Sequence, residues 1–102
     1  MFSFCAAENV LLNFRESFIQ CVDANAVVYG LEHANIISDG DLTEINRNPN
    51  LKQQNEILHR CLTRSCDEEA LMEACDMMIA VRGNRKMNSL GRDMKCKLEG
   101  IC

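Results

Sequence analysis

Residues 34–58 read ANIISDGDLTEINRNPNLKQQNEIL, and the order of residue types along this stretch decides the fold. Ser38 stands where a helix N-cap oxygen is wanted, and Asp41, three residues on, can answer the Ser38 amide in a capping box. Asp39 and Asp41 both put negative charge at the positive end of the helix dipole. Leu42 and Ile45 give this helix an apolar edge up to about Arg47. Pro49 stops it, because the residue before a proline is pushed out of helical geometry, and the same proline opens a following helix with Asn48 or Asn50 as cap. Leu51, Ile57, Leu58, Cys61 and Leu62 then recur at helical spacing to about Arg64.

The flanking sequence has the same character. Val10, Leu11, Phe14, Phe18, Cys21 and Val22 predict one amphipathic helix from Val10 to Val22. Asp23 is placed to cap a second, running to about Asn35 with Val27, Val28, Leu31 and Ala34 inward, where Gly30 marks close packing or an early end. Beyond Arg64, Ser65 with Glu68 reads as a second capping box for a helix whose stripe is Leu71, Ala74, Cys75, Met78 and Val81, and Gly83 reads as its C′ residue. A brief last helix holds Met87 and Leu90, and residues 92–102 read as a basic, frayed tail. No period-two alternation, repeat or low-complexity tract occurs, so the expectation is all-α: one six-helix antiparallel bundle over residues 1–91.

With 102 residues, 47 % of them apolar, the chain has room for one core, which excludes a multidomain enzyme. Its net charge of −4 is unevenly spread. Residues 1–51 are acidic, whereas from Arg82 onward Arg82, Arg85, Lys86, Arg92, Lys95 and Lys97 face only Asp93 and Glu99. Such polarity suits a protein partner with complementary patches; a nucleic-acid binder is expected to be basic overall. The seven cysteines (Cys5, Cys21, Cys61, Cys66, Cys75, Cys96 and Cys102) are odd in number and several fall at helix-buried spacings, so they read as reduced and the protein as cytoplasmic. Secretory, membrane-spanning and lipidation signals are all missing, and a soluble protein without membrane insertion is expected.

Chemistry-bearing motifs are absent too. His33 and His59 lack zinc spacing, and the nearest cluster, His59, Cys61 and Cys66, reads as a histidine facing water beside a buried thiol. Asp39 and Asp41 around Gly40 lack the remaining ligands of a calcium loop, and the scattered glycines build no phosphate cradle. Met72, Met77 and Met78 sit at core spacing. No catalytic role, cofactor or metal is expected.

Taken together, Ile37, Ser38, Asp39, Asp41, Leu42, Ile45 and Pro49 resemble the region from the second to the fourth helix of a caspase recruitment domain (CARD) of the death-fold superfamily. The Val10–Val22 helix, Asp23, and the Leu71–Gly83 segment resemble that family's first, second and fifth helices, so the likeness covers about residues 8–90. Gly30, and Asn and Gln early in the fourth helix, depart from the pattern. The resemblance implies a non-catalytic module that binds another CARD through charged faces. On the basic side it implies Arg15, Lys52, Arg60 and Arg64; on the acidic side, Asp23, Glu32, Asp39, Asp41 and Glu44. Two different faces joined head to tail generate an open filament, and a subunit with one good face caps its end. The implied partner is a CARD-containing signalling protein, whether a caspase, an inflammasome component or a mitochondrial antiviral adaptor, and self-association is open to it. The expected role is a CARD-only decoy, similar to host decoys and to CARD-only proteins of large DNA viruses such as ranaviruses, that inhibits caspase activation or innate immune signalling in the host cytoplasm. An activating adaptor that nucleates CARD filaments is the alternative, and a small helical nucleic-acid or metal-binding protein a remote one.

Overall fold

The computed structural model describes residues 6–65, without the Ser65 side chain, and residues 67–100. Among them are seven helices and no strand: α1 (Ala6–Asn13), α2 (Arg15–Cys21), α3 (Ala24–His33), α4 (Asp39–Arg47), α5 (Leu51–Ser65), α6 (Glu68–Ala80) and α7 (Arg85–Glu99). The all-α expectation holds. The helix expected over Val10–Val22 is broken at Phe14, whose φ of −102° and ψ of 9° interrupt it, so that seven helices stand where six were expected.

The deciding stretch folds locally as its residue types require. Ser38 Oγ accepts from the Asp41 amide and Asp41 Oδ2 from the Ser38 amide, both at 3.1 Å. Asn48 ends α4, and Asn50 Oδ1 accepts from the Gln53 amide at 3.2 Å, so Asn50 is the cap of α5.

Other ends differ from expectation. Asp23 occupies the N-cap of α3 without a side-chain cap bond; the Ala24 amide donates instead to Asn55 Oδ1 at 3.1 Å. Because α5 runs on to Ser65, the cap of α6 falls to Asp67, whose Oδ1 accepts from the Glu69 and Ala70 amides at 2.9 and 3.3 Å. Gly83, with φ of 82°, lies in the turn beyond Val81, which is the residue that closes α6.

The expected frayed tail is helix as far as Glu99. Met87, Leu90 and Met94 are buried, a stripe that the intervening charges obscure in the sequence. Gly91 makes the packing of α7 on α6 possible: a Cβ there would stand 3.0 Å from the Cys75 carbonyl oxygen and 3.1 Å from Met78 and Ile79 atoms. Gly30 marks a second close approach, 3.2 Å between its virtual Cβ and Met77 Sδ. One core runs through the bundle, with Leu11, Phe18, Val28, Ile45, Leu58 and Met87 among its members. Met78 belongs to it and Met77 packs against it, as the methionine spacing suggested, but Met72 lies outside it among the α6 acids.

Cys21, Cys61 and Cys75 are free thiols, but Cys96 is disulfide-bonded, which corrects the reading of all cysteines as reduced. Helical spacing reports which cysteines are buried and cannot report which approach another sulfur. Cys5, Cys66 and Cys102, the Ser65 side chain and Ile101 lie outside the described residues. No described helix is long and apolar enough to cross a membrane.

Candidate interaction site

The site is organised by α5, whose inner face carries three buried polar side chains, Gln54, Asn55 and His59, beside Leu58, Cys61 and Leu62. Asn55 is 1 % exposed; its Nδ2 donates to the Ile19 and Val22 carbonyls at 2.9 and 2.6 Å, while Oδ1 accepts from Ala24. One side chain thereby satisfies the C-terminal end of α2 and the N-terminal end of α3, where backbone groups lack helical partners. His59, buried rather than water-facing as expected, bonds the Leu11 carbonyl in the last turn of α1 through Nε2 at 2.7 Å. Its ring meets Phe18 edge-on at 5.3 Å. Burial pushes the His59 pKa down, the Leu11 carbonyl opposes this, and the Arg15 charge adds to the lowering. The ring ties the last turn of α1 to α5.

Outside this anchor lies an open groove of about 840 Å³, bounded by Leu12 and Arg15 at the break, by Ile57, Arg60 and Arg64 along α5, and by Glu44 of α4. Leu12 is 57 % exposed, so apolar surface lies beside the cations. Arg60 donates to Glu44 Oε2 at 2.9 Å and Arg64 to Asp41 Oδ1 at 2.8 Å. Burial tends to raise the Asp41 pKa, but the Ser38 amide and hydroxyl, the Cys61 thiol and Arg64 together hold it below the ordinary carboxylate value.

Of the four bases implied by the resemblance, Arg15, Arg60 and Arg64 share this groove. Lys52 stands apart in the first turn of α5, about 18 Å from Arg64 at 1.5 Å per residue. Of the five acids, Asp41 and Glu44 are turned onto the α5 arginines. Asp39 is exposed in the first turn of α4, and Asp23 and Glu32 lie toward opposite ends of α3. The two charged sets are thus partly joined to each other within the molecule.

Two of the free thiols, Cys61 and Cys75, are buried and hold their protons tightly. Burial, and secondarily Asp41, pushes the Cys61 thiol up to about 11; burial and Asp76 push Cys75 up to about 12. The described histidine nearest Cys61 in the sequence, His59, is committed to a carbonyl. No group of three or more metal-ligating side chains occurs among the described residues. The groove sets the guanidinium groups of Arg15, Arg60 and Arg64 beside the apolar Leu12 and Ile57, with the carboxylates of Glu44 and Glu56 also on its wall.

Sequence reasoning missed His59, Asn55 and Leu12. Asn55 and His59 were findable as polar residues four apart on the stripe of Leu58 and Leu62, where a buried polar group must have a designated partner. Leu12 was findable as well, because it falls off the Val10, Leu11 and Phe14 stripe and is 57 % exposed. No family model, curated protein or solved structure matches the chain.

Proposed function

We propose that the chain is a CARD-type interaction module, with α1 and α2 together corresponding to one broken helix of a six-helix death fold. It binds the CARD of a signalling protein, of a caspase, inflammasome or mitochondrial antiviral adaptor, and caps that partner's assembly. It has no catalytic role. The capping box of α4, the Pro49 turn and the grouping of Arg15, Arg60 and Arg64 beside α5 support the reading.

The observation that carries the capping role is the pair of ion bridges, Glu44–Arg60 and Asp41–Arg64. Head-to-tail growth requires acids of one copy to meet bases of the next, and these four charges already meet within one copy. Docking through them has to exchange an internal pair for an external one, which brings little net electrostatic gain. Arg15 and Lys52 on one side, and Asp23, Glu32 and Asp39 on the other, have no ion-pair partner among the described residues. Capping requires that only one of these two partial faces binds a partner CARD, since both together would extend the filament.

Titration against purified candidate CARDs tests the binding. For the partner it engages, Arg15→Glu or Asp39→Lys lowers affinity about tenfold, and added salt weakens binding further. Binding to none of them, or affinity unaltered in both variants with unchanged helicity, rules the reading out.

A further inference from the structure

The α6–α7 hairpin carries a second set of opposite charges, arranged in the reverse manner. Asp67, Glu68, Glu69, Glu73 and Asp76 lie at the start and along the outer face of α6, which holds no lysine or arginine. Arg85 and Arg92 are exposed on the outer face of α7, with Arg82 exposed in the turn before it, whereas Lys97 lies toward α1; Asp93 and Glu99 are the exposed acids of α7. One bridge, Lys95–Asp76 at 2.7 Å, crosses the seam between the helices. Glu68, Glu69, Glu73, Arg82, Arg85, Lys86, Arg92 and Lys97 have no ion-pair partner among the described residues.

We propose that this face binds a second copy of the same chain across a two-fold axis, the acidic α6 of each protomer lying on the basic α7 of the other. A surface with a negative strip beside a positive strip is self-complementary under a two-fold rotation, whereas a uniformly charged surface repels its own copy. A uniformly anionic partner would meet the α7 strip but be repelled by α6, so charge complementarity favours a second copy. α6 also provides a seat: Met72 is half-buried in a shallow depression of about 350 Å³ rimmed by Glu68, Glu69, Glu73 and Asp76. An arginine or lysine stem from the partner's α7 lies over the Met72 thioether while its charge reaches those carboxylates. No residue lining the α5 groove belongs to α6 or α7, so the dimer presents two grooves, and the inference stands independently of the CARD reading.

Sedimentation equilibrium of the full chain at low and high salt tests this. The expected result is a reversible dimer that high salt dissociates. Glu69→Lys with Glu73→Lys, or Arg85→Glu with Arg92→Glu, weakens self-association about tenfold or more, while an equimolar mixture of the two charge-reversed proteins restores it. Circular dichroism confirms helicity, and Arg15→Glu in the groove leaves the dimer unchanged. A monomer under all conditions, or variants that dimerise as tightly as the wild type, overturns the proposal. So does a monomeric wild type whose α7 arginines instead bind phosphatidylserine vesicles or duplex DNA.

Discussion

Two helix pairs, α4 with α5 and α6 with α7, each set an acidic helix beside a basic one, and they use the charges in opposite ways. In the first pair Asp41 and Glu44, three residues apart, face α5, and Arg60 and Arg64, four apart, face back, so that two bridges close inside the molecule. In the second pair most of the charges look outward and only Asp76 and Lys95 meet. The packing beneath explains the contrast. In the first region Asp41 and Glu44 lie on the side of α4 that meets α5, while α6 and α7 press together through Gly91, leaving their charged faces on the outside. Similar composition thus gives one surface whose charges are largely satisfied and one whose charges await a partner. Helical register decides which.

The largest effect is expected where the first region is anchored. Asn55→Ala removes three hydrogen bonds, two of them buried, and leaves the Ile19 and Val22 carbonyls and the Ala24 amide without that partner, at a cost of about 2–4 kcal/mol in urea unfolding. A loss below about 1 kcal/mol would mean that α5 is held otherwise. In the second region, Gly91→Val drives a branched side chain into the Cys75 carbonyl and is expected to cost about 1–3 kcal/mol; an unchanged midpoint would show that α6 and α7 can separate freely.

Smaller effects sharpen the charge contrast itself. A double-mutant cycle on Arg60 and Glu44 is expected to give a coupling of about 0.2–1 kcal/mol, and the same cycle on Glu73 and Arg92 in the monomer close to none. Equal couplings would erase the distinction between the two regions. The smallest effect is a pH dependence. His59 is held below its usual pKa of 6.5, so the unfolded chain binds that proton more readily. Its contribution to stability is intact above about 6.5 and is lost as pH falls from there through the folded-state value. Asp41, held below 3.8, loses its contribution only in more acidic solution. Replacing His59 by Gln is expected to flatten the first window in a series of melting curves and leave the second.

Two local devices were legible in the sequence, whereas the Asp23 cap and the α6 cap, equally local, were misplaced because Asn55 takes the Ala24 amide and α5 runs on to Ser65. Ser38 with Asp41 and the Pro49 turn each depend on a few neighbouring residues, and each stands where its residue types require. The helices themselves followed from apolar period, except for the break at Phe14, near which His59 reaches the Leu11 carbonyl from 48 residues away in sequence. The length of α7 was hidden because Met87, Leu90 and Met94 are diluted by charges, and because Gly91 reads as a stop until α6 is seen against it. Of the implied contact residues, the sequence could locate the charges. It could not show that Asp41 and Glu44 are already bonded to Arg64 and Arg60, since that depends on how α4 turns against α5.

The most direct test of the proposed role is light scattering during polymerisation of purified CARDs from the apoptotic, inflammasome and mitochondrial antiviral pathways, with this protein added at sub-stoichiometric and equimolar levels. The expected result is suppression of one partner's filament growth at sub-stoichiometric ratio, with Arg15→Glu or Asp39→Lys losing the effect. Accelerated growth would contradict capping and make the protein a nucleator; no change in any partner's growth would contradict the assignment of these faces to CARD binding.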